Sequence, residues 1–187
     1  MLHLRTILMV FLFIFSINCK TEQILSIGDT LKDSLNILSS KQTFIDEERV
    51  ISLELEPNFR NTITKIGFSN IYDFEWLSKS SSTDEKLLYR IQIKVSREGD
   101  TQFKDIRKPD FEFDFSKECQ GCIIEKKGWI FVKNKNARLF QYRQSNWFFL
   151  SIHLNHQSHY VEILISSEDK EKTTEKWEDL KKDIQFL

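Results

Sequence analysis

The 187-residue sequence predicts an α+β fold, a mostly antiparallel sheet with a C-terminal four-strand meander covered by a terminal helix. Three observations predict it. Apolar and polar residues alternate in several short stretches, the period of a half-buried strand. The stretches between residues 129 and 165 are separated by short Asn-rich turns, and short turns join antiparallel neighbours because parallel pairs need long crossovers. Thr173, Trp177, Leu180, Ile184 and Leu187 then fall on one helical face, and a sheet with one polar face needs its apolar face covered.

The elements follow in chain order. Arg5 is the only charged side chain before Lys20, and residues 7–15 are an unbroken apolar run. As a helix that run reaches only ~14 Å, against a bilayer core of roughly 30 Å, so it does not span. A positive start, a short apolar run and a small-residue exit are the layout of a secretory signal. The exit is Phe15-Ser16-Ile17-Asn18-Cys19. A cysteine directly after the apolar run resembles a lipobox, in the relaxed form of spirochaete lipoproteins. Ser16 and Asn18 stand where most lipoboxes have Leu and a small residue. The resemblance implies cleavage before Cys19 and diacylglycerol on its sulfur, usually with a further acyl chain on its amino group. One chain anchors only marginally, whereas two or three hold durably. The expected division is therefore 1–18 lipoprotein signal peptide, 19–28 acylated Cys and tether, and 29–187 a single α+β domain.

Asp29 or Thr30 can cap a helix through about Ser40, with Leu31, Leu35 and Leu38 on one face. Residues 41–48 are polar and read as a loop. Ile51, Leu53 and Leu55 alternate with polar residues as a strand, which Pro57 ends. Phe59, Ile63 and Ile66 fit a short helix closed by Gly67, residues 68–77 a strand, and residues 78–84 a flexible loop. Residues 89–95 alternate strictly and predict an amphipathic strand; 97–109 form a charged connector. Phe111, Phe113 and Phe115 alternate with Glu112 and Asp114 as a further strand. Strands near 129–133, 138–144, 147–154 and 159–165 make the meander, and Ser166 or Ser167 starts the last helix. Meander plus terminal helix loosely resembles the Mog1/PsbP-like α/β/α sandwiches, which include bacterial lipoproteins. That likeness is one of layout and carries no residue.

Composition bounds the function. The charges, 27 Lys and Arg against 28 Asp and Glu, give no basic signature for nucleic acid. Sixteen Phe and four Trp supply a bulky core, while five Gly and two Pro exclude a low-complexity chain. Catalytic signatures such as GxSxG, HExxH, Walker A and GxGxxG are not present.

A few residues invite chemistry. Cys119 and Cys122 form a CxxC that reads first as a small local disulfide, with unpaired thiols, a redox dithiol or half a metal site as alternatives. No second cysteine pair completes a zinc site, and an extracytoplasmic address favours oxidation. His153, His156 and His159 suggest a metal cluster, but core patterning pairs 152 with 161 and 154 with 159. His153 then faces away from His159, so the three read as turn and edge histidines without a metal. Lys126, Lys127, Lys133, Lys135, Arg138 and Arg143 interleave with Trp129, Phe131, Phe140 and Tyr142. This reads first as a solvated sheet face over core aromatics, and otherwise as a patch for lipid headgroups, lipopolysaccharide or sulfated glycans. Asp46, Glu47, Glu48, Glu54 and Glu56 make an opposing acidic segment. The expected function is a non-enzymatic binding or structural module of the cell envelope, lipid-anchored through Cys19, without cofactor. The alternative is an extracytoplasmic enzyme or redox protein using Cys119 and Cys122.

Overall fold

The computed structural model describes residues 41–78 and 86–187, apart from the side chain of Phe113. The signal segment, Cys19, the tether, the helix expected over 29–40 and most of the loop expected at 78–84 lie outside the described residues. The elements in order are β1 (Gln42–Ile45), β2 (Ile51–Leu55), β3 (Phe59–Ile66), β4 (Ser69–Ser78) and β5 (Lys86–Arg97). They continue with α1 (Phe111–Glu118), β6 (Ile123–Val132), β7 (Lys135–Gln144), β8 (Trp147–His156), β9 (His159–Ser167), α2 (Lys170–Asp183) and β10 (Gln185–Phe186). A seven-stranded sheet has the order β3-β4-β5-β9-β8-β7-β6, and every pair in it is antiparallel. A three-stranded sheet, β1-β2-β10, accompanies it.

The register explains where the core sits. Ile93 stands beside Ile163, Ile163 beside Ile152, and Ile152 beside Leu139, so one apolar row crosses four strands. Side chains two residues away repeat the row, because a strand alternates faces with period two. This face carries the main core, and α2 and β2 cover it through Trp177, Leu180, Ile51, Leu53 and Leu55. Each fully buried aliphatic side chain of this kind contributes about 1.5–3 kcal/mol. Asp169 caps α2, its carboxylate accepting the N–H groups of Glu171 at 2.9 Å and Lys172 at 3.3 Å.

The opposite face is half covered. Over β7, β8 and β9, α1 and the preceding connector bury Phe111, Phe115 and Ile106 against Phe140 and Tyr160. Over β4 and β5 the same face is polar, with Arg90 bridging to Asp73.

Several expectations are corrected. Residues 59–66 form β3, an edge strand exposed along nearly its whole length, not a helix. Residues 111–118 form α1, not a strand, because Phe111 and Phe115 share a helical face and both reach Phe140. Within 41–48, expected as a loop, residues 42–45 form β1, since Phe44 packs on Tyr72 and Phe74. The final helix starts at Lys170 because Ser166 and Ser167 stay in β9, paired with Arg90 and Phe148. The last hairpin pairs Leu154 with Val161 and His156 with His159, two residues from the expected register. A two-residue shift preserves faces, so the expected inward and outward sets still hold. Its turn is Gln157-Ser158 with φ of 46° and 60°, as a type I′ hairpin turn requires. Lys133-Asn134 turns the same way, with φ of 47° and 64°.

Candidate functional site

The six cations between 126 and 143 do not form one surface. Strand alternation sends Lys126 and Lys127 to opposite faces, opposite Gln141 and Phe140 respectively. On the α1 face, Glu112 takes two of them, Lys127 at 2.8 Å and Arg138 at 2.6 Å. Lys133 donates instead to the Lys182 carbonyl at the end of α2. Arg143 lies beside Ile123 at the other end of the hairpin, and Lys135 lies next to the turn.

The acidic segment is likewise spent on structure. Asp46 is buried, and its carboxylate accepts the N–H groups of Glu48, Val50 and Ile51, which organises the β1–β2 turn. Glu47 pairs with Lys65, Glu48 with Arg97 and His159, and Glu56 with Lys176. For Glu48, burial opposes ionisation, but hydrogen bonds from Arg97 and His159 outweigh it and hold the carboxyl below its ordinary range.

Cys119 is the C-cap of α1 and Cys122 directly precedes β6; a disulfide joins them, with Cα atoms 5.5 Å apart. A helix C-terminus is the negative end of the dipole, whereas redox dithiols place a thiolate at the positive end.

The histidines separate. His156 and His159 flank the turn on the main-core face, bonded to the Leu187 and Gln157 carbonyls. His153 is neither a turn nor an edge residue: it is 1% exposed, on the opposite face beneath Phe111 and Phe115. Its neighbours suit the neutral Nδ1–H tautomer, in which Ser151 gives its proton to the ring at 2.7 Å rather than to Glu162 at 3.5 Å. The Tyr160 hydroxyl donates to Glu162 at 3.2 Å and its oxygen accepts from His153 Nδ1 at 2.6 Å. Nε2 then accepts from the Ser151 hydroxyl at 2.7 Å. A neutral imidazole satisfies every member. Burial pushes its pKa down to about 4, Glu162 opposing and Lys104 and Lys94 assisting. Sequence reading missed this Ser151–His153–Tyr160–Glu162 network; its only signal was four polar residues on the second face of strands with apolar first faces. No group of three or more His, Cys, Asp or Glu among the described residues is placed to hold a metal.

Open concavities lie elsewhere, and two of about 500 Å³ flank the connector after β5. The connector after β5 and the turns of β6–β7 and β8–β9 enclose a cleft of about 500 Å³, within the rough 300–1,000 Å³ range of small-molecule sites. Asn155 fixes its wall: Oδ1 accepts from Ile106 N at 2.9 Å and Nδ2 donates to the Lys104 carbonyl at 2.7 Å. Trp129 stands at the cleft, 50% exposed, with the Arg138 guanidinium 3.8 Å over its ring. Glu112 and the Ile106 carbonyl hold that guanidinium, so the ring rests on a fixed support. Asn134, Asn136 and Ser158 also line the cleft, and their side chains make no hydrogen bond among the described residues.

The cleft and the chain's entry occupy opposite ends of the sheet. Gln42 pairs with Leu55, next to Glu56, which receives Trp76 Nε1 and the Tyr89 hydroxyl. Trp76 lies seven residues along β4 from Ser69, about 24 Å at strand rise, and the cleft is at the Ser69 end.

Neither a protein-family model nor a curated protein sequence matches the chain. Solved structures do. The solution structure of cyanobacterial PsbP (CyanoP) from Synechocystis sp. PCC 6803 has a TM-score of 0.56 at 9% identity, over 80% of this chain and 94% of that one. A crystal structure from Bacteroides thetaiotaomicron VPI-5482 has a TM-score of 0.50 at 8% identity, over 80% of this chain and 49% of that one. Such likeness shows the fold alone, and it bears out the PsbP-like layout expected from the meander and terminal helix.

Proposed function

We propose that the protein is a lipid-anchored, extracytoplasmic binding module of the cell envelope rather than an enzyme. The cleft carries this reading. It offers a supported aromatic ring and uncommitted amide and hydroxyl groups, the inventory of a binding site. The best-formed titratable cluster, around His153, is by contrast sealed beneath α1 with its hydrogen bonds mutually satisfied. The anchor reading rests on residues 7–19, and no described helix is long and apolar enough to cross a membrane. The redox alternative draws on the Cys119–Cys122 disulfide, whose place at a helix C-terminus supports it poorly.

Detergent phase partitioning tests the anchor. Wild type should enter the detergent phase, and Cys19→Ser should remain as an unprocessed or mislocalised precursor. Wild type in the aqueous phase, matching Cys19→Ser, would count decisively against a lipid on Cys19.

A further inference from the structure

We infer that the cleft between the connector and the two hairpin turns binds an uncharged oligosaccharide, with Trp129 as its stacking platform. The inference rests on the binding-module reading and names its ligand class. Two carboxylates, Glu98 and Asp105, and two cations, Arg107 and Lys135, line the cleft, so their formal charges cancel. Arg107 is closed on Asp105, with Nε and Nη2 each 2.9 Å from its carboxylate oxygens. An anion would therefore find Arg107 already engaged and Lys135 sharing the cleft with Glu98. Glu98 and Lys135 remain as one charge of each sign, and beside them the lining offers neutral amide and hydroxyl groups.

A sugar ring matches this inventory. Its C–H face is apolar and packs flat against an aromatic ring, while its hydroxyls exchange hydrogen bonds with amides that both donate and accept. Trp129 is suited to the first task because half of it is exposed while Arg138 backs the ring. Asn134, Asn136 and Ser158 are suited to the second, since binding costs them no existing side-chain bond. The Asn134 backbone is in the left-handed region and Asn155 pins the opposing wall, so the site is formed before the ligand arrives. Preorganisation of this kind lowers the ordering cost of binding.

The test is saturation-transfer NMR on the full-length protein in a sugar-free detergent. The uncharged probes are the tetrasaccharides of N-acetylglucosamine, glucose (α- and β-linked) and mannose; a heparin tetrasaccharide is the anionic comparator. At least one uncharged probe should receive saturation at its ring protons. Trp129→Ala and Asn136→Ala should each weaken that binding at least tenfold, while Trp129→Phe keeps part of it. Ile66→Ala, an exposed apolar change at the far edge strand, should leave it unchanged. Trp129 is on an exposed edge strand, and unchanged thermal melts will establish that its loss is local. No transfer to any uncharged probe at millimolar concentration, or equal affinity in Trp129→Ala, would overturn the assignment. Heparin binding alone, lost in Trp129→Ala, would overturn the ligand class and leave the cleft a binding site. Partitioning of Cys19→Ser reports on the anchor independently of all these outcomes.

Discussion

His153 shows what one residue does when strand alternation turns it inward. In the unfolded chain its imidazole titrates near 6.5; in the fold burial holds it to about 4. Between those values the unfolded state binds the extra proton. The contribution of His153 to stability is therefore present above pH 6.5 and is lost as pH drops through about 4, by roughly 3 kcal/mol in all. Proton NMR of the His153 ring should show no charging above pH 5, and a midpoint near 6.5 would contradict the sealed network. Alternation placed His153 on the face away from His159 in the sequence, but nothing there indicated that α1 would cover that face. The cationic residues, read first as a solvated sheet face and otherwise as a patch, are divided by the same alternation. They are close in sequence, yet a β-strand separates neighbours and Glu112 arrives from a distant helix.

At the scale of elements, α2 covers the main core, and Trp177 is 4% exposed within it. Trp177→Ala should cost about 3–5 kcal/mol in urea melts, against less than about 0.5 for Lys181→Ala. Lys176 lies outside the apolar row of this helix. Its side chain is nonetheless only 12% exposed, 2.6 Å from Glu56 and above the Tyr89 ring. Lys176→Ala should therefore cost more than Lys181→Ala. Helix α1 makes a linked prediction. Phe115 stacks on Phe140 at 4.0 Å and meets the His153 ring edge-on. Phe115→Ala should admit water and raise the His153 pKa from about 4 toward 6.5, measurable by the same NMR titration. An unmoved pKa would mean that α1 is not the seal.

The meander and α2 were legible because burial on one face imposes a period on the sequence. The misread segments lack that constraint. β3 is an edge strand with little buried on either side, so Phe59, Ile63 and Ile66 fitted helical spacing by default. In α1, three phenylalanines at alternate positions fit a strand, while Phe111 and Phe115 alone also fit a helix. Only packing on Phe140 decides between them. The two I′ turns lack the Asn-Gly signal, which is why the last hairpin was misplaced by two residues.

Among the described residues, Gln42 at the start of β1 lies toward one end of the sheet and the cleft toward the other. Trp129 was visible in the sequence only as one aromatic among basic residues. Its support by Arg138 and its place beside Asn134 and Asn136 come from cross-strand pairing and two turns that only the fold brings together. The decisive measurement is the intact mass and N-terminal sequence of the protein extracted from membranes. The account predicts a chain that begins at Cys19 and carries the added mass of at least two acyl chains. A chain that begins at Met1, or an unmodified Cys19, would contradict it.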